Sequence, residues 1–85
     1  MAEIEIYTTP LCGFCWAAKK LLEKKGVAYT EFDVMMNSGK RKEMAGRASG
    51  RTTVPQIFVD GDHLGDCEDI MKMDADDELD ARLGL

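Results

Sequence analysis

Ile4-Glu5-Ile6-Tyr7-Thr8-Thr9-Pro10-Leu11-Cys12-Gly13-Phe14-Cys15 decides how this chain is read. Ile4 and Ile6 alternate with Glu3 and Glu5 and lead into Tyr7, the period-two pattern of a strand with one buried face. Thr8-Thr9-Pro10 ends that strand. From Gly13 to Lys25 the apolar residues Phe14, Ala17, Ala18, Leu21 and Leu22 recur at helical spacing, and Gly26 is a C-terminal stop. The two cysteines therefore fall at the start of a helix that follows a strand. At that spacing their side chains share a face and can close an intramolecular disulfide. The helix start also offers unpaired N–H groups and roughly half a positive charge, which favours thiolate over thiol at Cys12. This is the pattern of a redox centre.

Outward from that stretch, Val27 to Val34 (VAYTEFDV) is rich in β-branched and aromatic residues and reads as a second strand. Strand, crossover helix and strand make a right-handed βαβ unit with parallel strands. Asn37 or Ser38 caps a second helix running to about Ala48, with Met44 and Ala48 facing inward and Ser49-Gly50 ending it. Val54 to Asp60 (VPQIFVD) is a third strand, Asp60-Gly61 a hairpin signal, and Asp62-His63-Leu64 a short antiparallel fourth strand. Gly65-Asp66 turns the chain into a last helical region from Glu68 to about Leu83, broken near Asp74 to Asp76. The order βαβαββα predicts an α/β fold: a four-stranded mixed sheet flanked by helices on both faces, in one domain spanning residues 1–85.

The length suits a single core and leaves no room for a second. Residues 1–59 carry nine basic and six acidic side chains, residues 60–85 two basic and ten acidic, so the net charge of −5 lies in the C-terminal third. An acidic chain with so few aromatics argues against nucleic acid as a partner. Lys19, Lys20, Lys24, Lys25, Lys40, Arg41 and Lys42 follow the cysteine pair and offer a small anion a positive field; the plainer reading, strongest for Lys24 and Lys25, is solvated helix faces. No apolar run approaches the roughly 18 residues a membrane span needs. Met1-Ala2-Glu3-Ile4-Glu5 has neither basic flank nor apolar stretch, so the expected compartment is the cytoplasm. Three cysteines are too few for a disulfide scaffold, and in a reducing compartment one pair is read as reactive.

Three motifs in register point to a family: Cys12-x-x-Cys15 after the first strand, Thr53-Val54-Pro55 opening the third, and Gly65-Asp66-Cys67-Glu68-Asp69 after the hairpin. Together they resemble the dithiol glutaredoxins, within the thioredoxin fold, over essentially the whole chain. The resemblance implies a glutathione-dependent thiol–disulfide oxidoreductase that reduces protein disulfides and glutathionylated proteins. It implies Cys12 as nucleophile, Cys15 as resolving thiol, and a cis peptide before Pro55 that holds the Thr53–Val54 backbone beside the disulfide. It further implies that the Val54 backbone pairs with the cysteinyl part of glutathione, while N–H groups at Glu68 and Asp69 take the γ-glutamyl carboxylate and Asp69 meets the amino group. Arg41 would take the glycine carboxylate, Thr9 stands where many members have lysine, and Phe14 would face substrate.

Thr9 removes one cation from the glutathione site. Asp66 stands where the family usually has a second glycine, so its side chain needs permissive φ/ψ and its charge weakens anion binding. Gly13 replaces a common proline and loosens the motif. Two other functions stay open here. Gly13-Phe14 is also the spacer of cluster-binding relatives, in which a homodimer would hold [2Fe-2S] through two Cys12 thiolates and two glutathiones. Alternatively Thr9 and Asp66 abolish glutathione affinity and leave a binding module. Zinc on Cys12, Cys15, His63 and Cys67 has the right ligand types but the wrong setting across a helix start. The plain expectations are a packed Cys67, a solvent-facing His63, Met35, Met36, Met71 and Met73 as core filler, and the acidic C-terminal segment as a solubilising face.

Overall fold

A computed structural model describes residues 2–85. In chain order the elements are β1 (Ile4–Thr8), α1 (Gly13–Lys24), β2 (Thr30–Asp33), α2 (Ser38–Arg47), β3 (Gln56–Val59), β4 (Asp62–Gly65), α3 (Cys67–Ala75) and α4 (Leu79–Arg82). The strands lie in the order β2-β1-β3-β4. β1 runs parallel to β2, with Tyr7 opposite Phe32, and antiparallel to β3, with Ile6 opposite Ile57. β3 and β4 form the hairpin, with a register shift between Ile57 and Phe58. The sheet is therefore mixed, as a βαβ unit joined to a β-hairpin requires, and the topology is the thioredoxin fold.

Alternation along the two central strands sorts the core into two layers. Ile4, Ile6, Ile57 and Val59 meet Ala18, Leu21 and Leu22 of α1, Ile70 of α3, and Leu79 and Leu83 at the chain's end. On the opposite face Tyr7 and Phe58 meet Val34 and the α2 residues Met44 and Ala48. Helices thus cover both faces, and each fully buried Leu, Ile or Phe contributes roughly 1.5–3 kcal/mol of apolar transfer. Arg47 of α2 lies 4.2 Å over the Phe58 ring and donates to Tyr7 Oη at 2.7 Å and Glu5 Oε1 at 2.8 Å, so the buried phenol keeps a partner.

β2 is shorter than the predicted Val27–Val34 because it is an edge strand paired only with β1; Val27 and Tyr29 pack on the core before the ladder starts. β3 begins at Gln56 rather than Val54, since Pro55 has no N–H to give a ladder. The last helical region divides after Ala75, where Asp77 adopts φ 60°, slightly beyond the expected break. Lys25 is not a free solvated cation: its Nζ meets Asp74 at 2.6 Å and Asp80 at 2.7 Å and ties the end of α1 to both C-terminal helices. The methionine expectation fails for Met35, Met36 and Met71, which are exposed; Met36 is 93% exposed in the loop after β2, and Met44 takes the core position instead. His63 is half-buried rather than solvent-facing, with its ring 5.1 Å from that of Phe58. Among the described residues no helix is long and apolar enough to cross a membrane.

Candidate functional site

Cys12 is the N-cap of α1, with φ −119° and ψ 110°, and its carbonyl accepts the Trp16 N–H at 3.1 Å. Its Sγ accepts the Cys15 N–H at 3.0 Å, so sulfur here takes the place that a hydroxyl or carboxylate oxygen usually fills at a helix start. Cys15 lies on the inner side of the same turn and is 1% exposed, whereas Cys12 is half-buried and open at one side. Burial pushes the Cys15 thiol up to about 12, with the hydrogen bond to Cys12 adding to the rise and a backbone hydrogen bond from Thr9 opposing it. Two thiols in one turn are thus held in unlike environments. Leu11, Phe14 and Trp16, close to the open one in the chain, are 90%, 72% and 62% exposed.

Beside Cys12 is a groove of about 310 Å³ lined by Phe14, Thr53, Val54, Pro55, Asp66, Cys67 and Glu68. The Val54–Pro55 bond is cis, and Val54 O lies 3.9 Å from Cys12 Sγ, a long and weak contact. The Thr53 wall is held from within. Buried Gln56 donates from Nε2 to Thr53 O at 3.1 Å and to its Oγ1 at 3.3 Å. Its amide oxygen is then the acceptor for His63 Nε2 at 2.6 Å, which fixes the proton on that ring nitrogen. Burial, helped by the Arg51 charge, holds His63 below its ordinary value.

The third wall is the start of α3. Asp66 is its N-cap in an extended conformation, φ −97° and ψ −168°, which any residue adopts. A side chain at this glycine position is therefore unstrained. Asp66 Oδ1 accepts the Asp69 N–H at 2.9 Å while Asp69 Oδ2 accepts the Asp66 N–H at 3.0 Å, a reciprocal capping box. Arg51 spans both carboxylates, reaching Asp66 Oδ2 at 2.6 Å and Asp69 Oδ2 at 3.1 Å. The backbone hydrogen bond from Asp66, joined by Arg51, holds the Asp69 carboxyl below the usual range. The preceding Gly65 has φ 136°, and a Cβ there would sit 2.6 Å from Asp69 Cβ.

Of the residues singled out in the sequence, Phe14, Thr53, Val54, Pro55 and Glu68 share the groove, with Cys12 at its rim. Four lie off its lining: Cys15 is sealed beneath Cys12, Thr9 gives a backbone hydrogen bond to Cys15, Asp69 turns to Asp66 and Arg51, and Arg41 donates to Thr52 O at 2.8 Å. Cys67 lines the groove although only 5% exposed, and burial raises its thiol. The Asp66-x-x-Asp69 spacing was the available signal for the cap; no local pattern announces Arg51, whose partners lie 15 and 18 residues away. His63 is turned to Gln56, and among the described residues no group of three or more His, Cys, Asp or Glu side chains is placed to hold a metal ion.

The sequence model of the Glutaredoxin family matches residues 4–64. Glutaredoxin 3 of Escherichia coli K12 is 51% identical over 83 residues, covering 98% of this chain and 99% of that protein. The solution structure of a glutaredoxin from Brucella melitensis superposes with a TM-score of 0.84 at 39% identity, covering all of this chain and 94% of the other. A buckwheat glutaredoxin–glutathione complex superposes with a TM-score of 0.85 at 26% identity, covering 98% of this chain and 77% of that one.

Proposed function

The chain belongs to the glutaredoxin family and is a glutathione-dependent thiol–disulfide oxidoreductase, and from that premise we propose that Cys12 is its nucleophile, Cys15 its resolving thiol and the groove beside them its glutathione seat. The observation that carries this reading is the asymmetry of one helical turn: Cys12 Sγ is open, takes an N–H hydrogen bond and adjoins the Val54 backbone, while Cys15 is sealed beneath it.

With a glutathionylated protein, the Cys12 thiolate attacks the glutathione sulfur. The Cys12–glutathione disulfide forms, and the old disulfide breaks to release the target thiolate, which takes a proton from water. A glutathione thiolate then attacks the bound glutathionyl sulfur, leaving as oxidised glutathione and freeing Cys12. With a protein disulfide, the mixed disulfide forms on Cys12. Cys15 gives its proton to the departing target sulfur and attacks Cys12 Sγ, and two glutathiones reduce the resulting Cys12–Cys15 bond. The Val54 backbone pairs with the cysteinyl segment. N–H groups at Glu68 and Asp69 receive the γ-glutamyl carboxylate, Arg41 the glycine carboxylate, and Phe14, Thr53 and Pro55 are the walls, with Thr9 behind. Partners are disulfide-containing or glutathionylated proteins, met by a monomer in the cytoplasm.

Coupled turnover of a glutathionylated peptide tests this. Cys15→Ser should keep deglutathionylation and lose reduction of protein disulfides that need resolution; equal loss of both overturns the division of labour. Half-buried Cys12, open at one side, and exposed Phe14 are also what a homodimer bridged by [2Fe-2S] would use, with one thiolate from each chain and two glutathiones. A brown dimer after anaerobic reconstitution with iron, sulfide and glutathione establishes it, and a colourless monomer rejects it.

A further inference from the structure

Asp66 already occupies what a substrate carboxylate needs. In the groove's third wall the Asp69 N–H, one of the first-turn donors of α3, is satisfied by Asp66 Oδ1 at 2.9 Å. A γ-glutamyl carboxylate arriving there cannot use that donor until Asp66 leaves it. Arg51 gives Asp66 somewhere to go: Asp66 Oδ2 is already on Nη2 at 2.6 Å. The planar guanidinium has five N–H donors, so it can donate to the freed Asp66 oxygen while keeping the first, with Nη1 shared with Asp69 Oδ2.

We propose that Asp66 is a built-in competitor for the γ-glutamyl carboxylate of glutathione, and that Arg51 is the arm that holds Asp66 when the substrate displaces it. The inference rests on the groove being the glutathione seat. Because one carboxylate replaces another on the same N–H, the subsite gains little from the exchange. A chain with no side-chain acceptor at this position would gain the whole hydrogen bond. Asp66 is thereby a specificity-determining residue. It lowers the advantage of glutathionyl over thiol caps that lack a γ-glutamyl carboxylate, and it acts on binding rather than on the sulfur chemistry. Charge repulsion is the rival account, since Asp66 and Glu68 line the groove and the Asp69 carboxylate stands just off it, with Arg51 as counter-charge. The two accounts differ in what an uncharged acceptor does.

One peptide is prepared with two caps, glutathionyl and N-acetylcysteinylglycinyl, and kcat and KM are measured for wild type, Asp66→Gly, Asp66→Ala and Asp66→Asn at low and high salt. Competition predicts that Asp66→Gly and Asp66→Ala lower KM for the glutathionyl peptide by roughly three- to tenfold, the worth of one cap hydrogen bond. The fall should appear in KM rather than kcat, persist at high salt and be absent for the control cap. Asn keeps an oxygen on the Asp69 N–H and should recover less than half of the effect. Glycine, which a helix start tolerates far better than alanine, guards against a folding artefact in the alanine variant. The proposal is overturned if Asn matches Ala and the effect fades with salt, which is repulsion alone, or if KM stays or rises in both Gly and Ala variants while glutathionyl remains preferred. If wild type and all variants treat the two caps alike, the glutathione seat itself is wrong and this inference falls with it.

Discussion

Cys12, Cys15 and Cys67 carry the same functional group in three degrees of access, and alkylation reads them directly. Iodoacetamide near neutral pH should modify Cys12 first, because Cys15 and Cys67 are sealed and their thiols are raised by burial; mass mapping that finds either of the others labelled first contradicts the assignment. Gly65 is a second single-residue test. Alanine there meets both φ 136° and the Asp69 side chain, so Gly65→Ala should lose about 2 kcal/mol or more, read as a lower denaturant midpoint with unchanged slope. The cysteine pair, Thr53-Val54-Pro55 and Glu68 were legible in the sequence because each belongs to a short contiguous motif. Arg51 was not, because its ion pairs join residues from separate elements. In sequence Asp66 reads as a charged replacement for glycine that needs permissive φ/ψ, although its spacing to Asp69 is that of a helix cap.

Helices were easier to foresee than strands for a related reason. Ten or more residues of 3.6-fold periodicity locate α1, whereas a four-residue strand such as β2 is bounded by where its neighbour's ladder begins and ends. α2 has little apolar content of its own, and its start depends on Asn37, whose Oδ1 accepts the Lys40 N–H at 3.0 Å. Asn37→Ala should cost about 1 kcal/mol, and Asn37→Asp should restore most of it, in equilibrium unfolding. α2 also brings Arg47 over Phe58; replacing it with methionine keeps apolar cover but leaves the Tyr7 hydroxyl without its donor, with an expected loss of roughly 1–3 kcal/mol in the same measurement.

For the whole molecule, stability should fall on the alkaline side. Cys15 is raised from 9.0 to about 12 and Tyr29 from 10.0 to about 12, both first by burial. Above pH 9 the unfolded chain gives up protons that the folded one keeps, so ionisation favours unfolding progressively as pH climbs toward 12. Below pH 9 both states hold these protons and the effect vanishes. Thermal melts of the reduced protein should therefore decline from pH 9 upward, and oxidation to Cys12–Cys15, which leaves no thiol to titrate at Cys15, should flatten the decline; identical slopes for the two forms would contradict it. The Gln56 side chain has a different consequence, for timing. Because it anchors Thr53 from the interior and is itself gripped by His63, one wall of the groove stands finished before any partner arrives. Encounter then needs no folding step on that side: ordering of the Thr53 wall should not slow association, and differences among partners at that wall should be written in how long each stays.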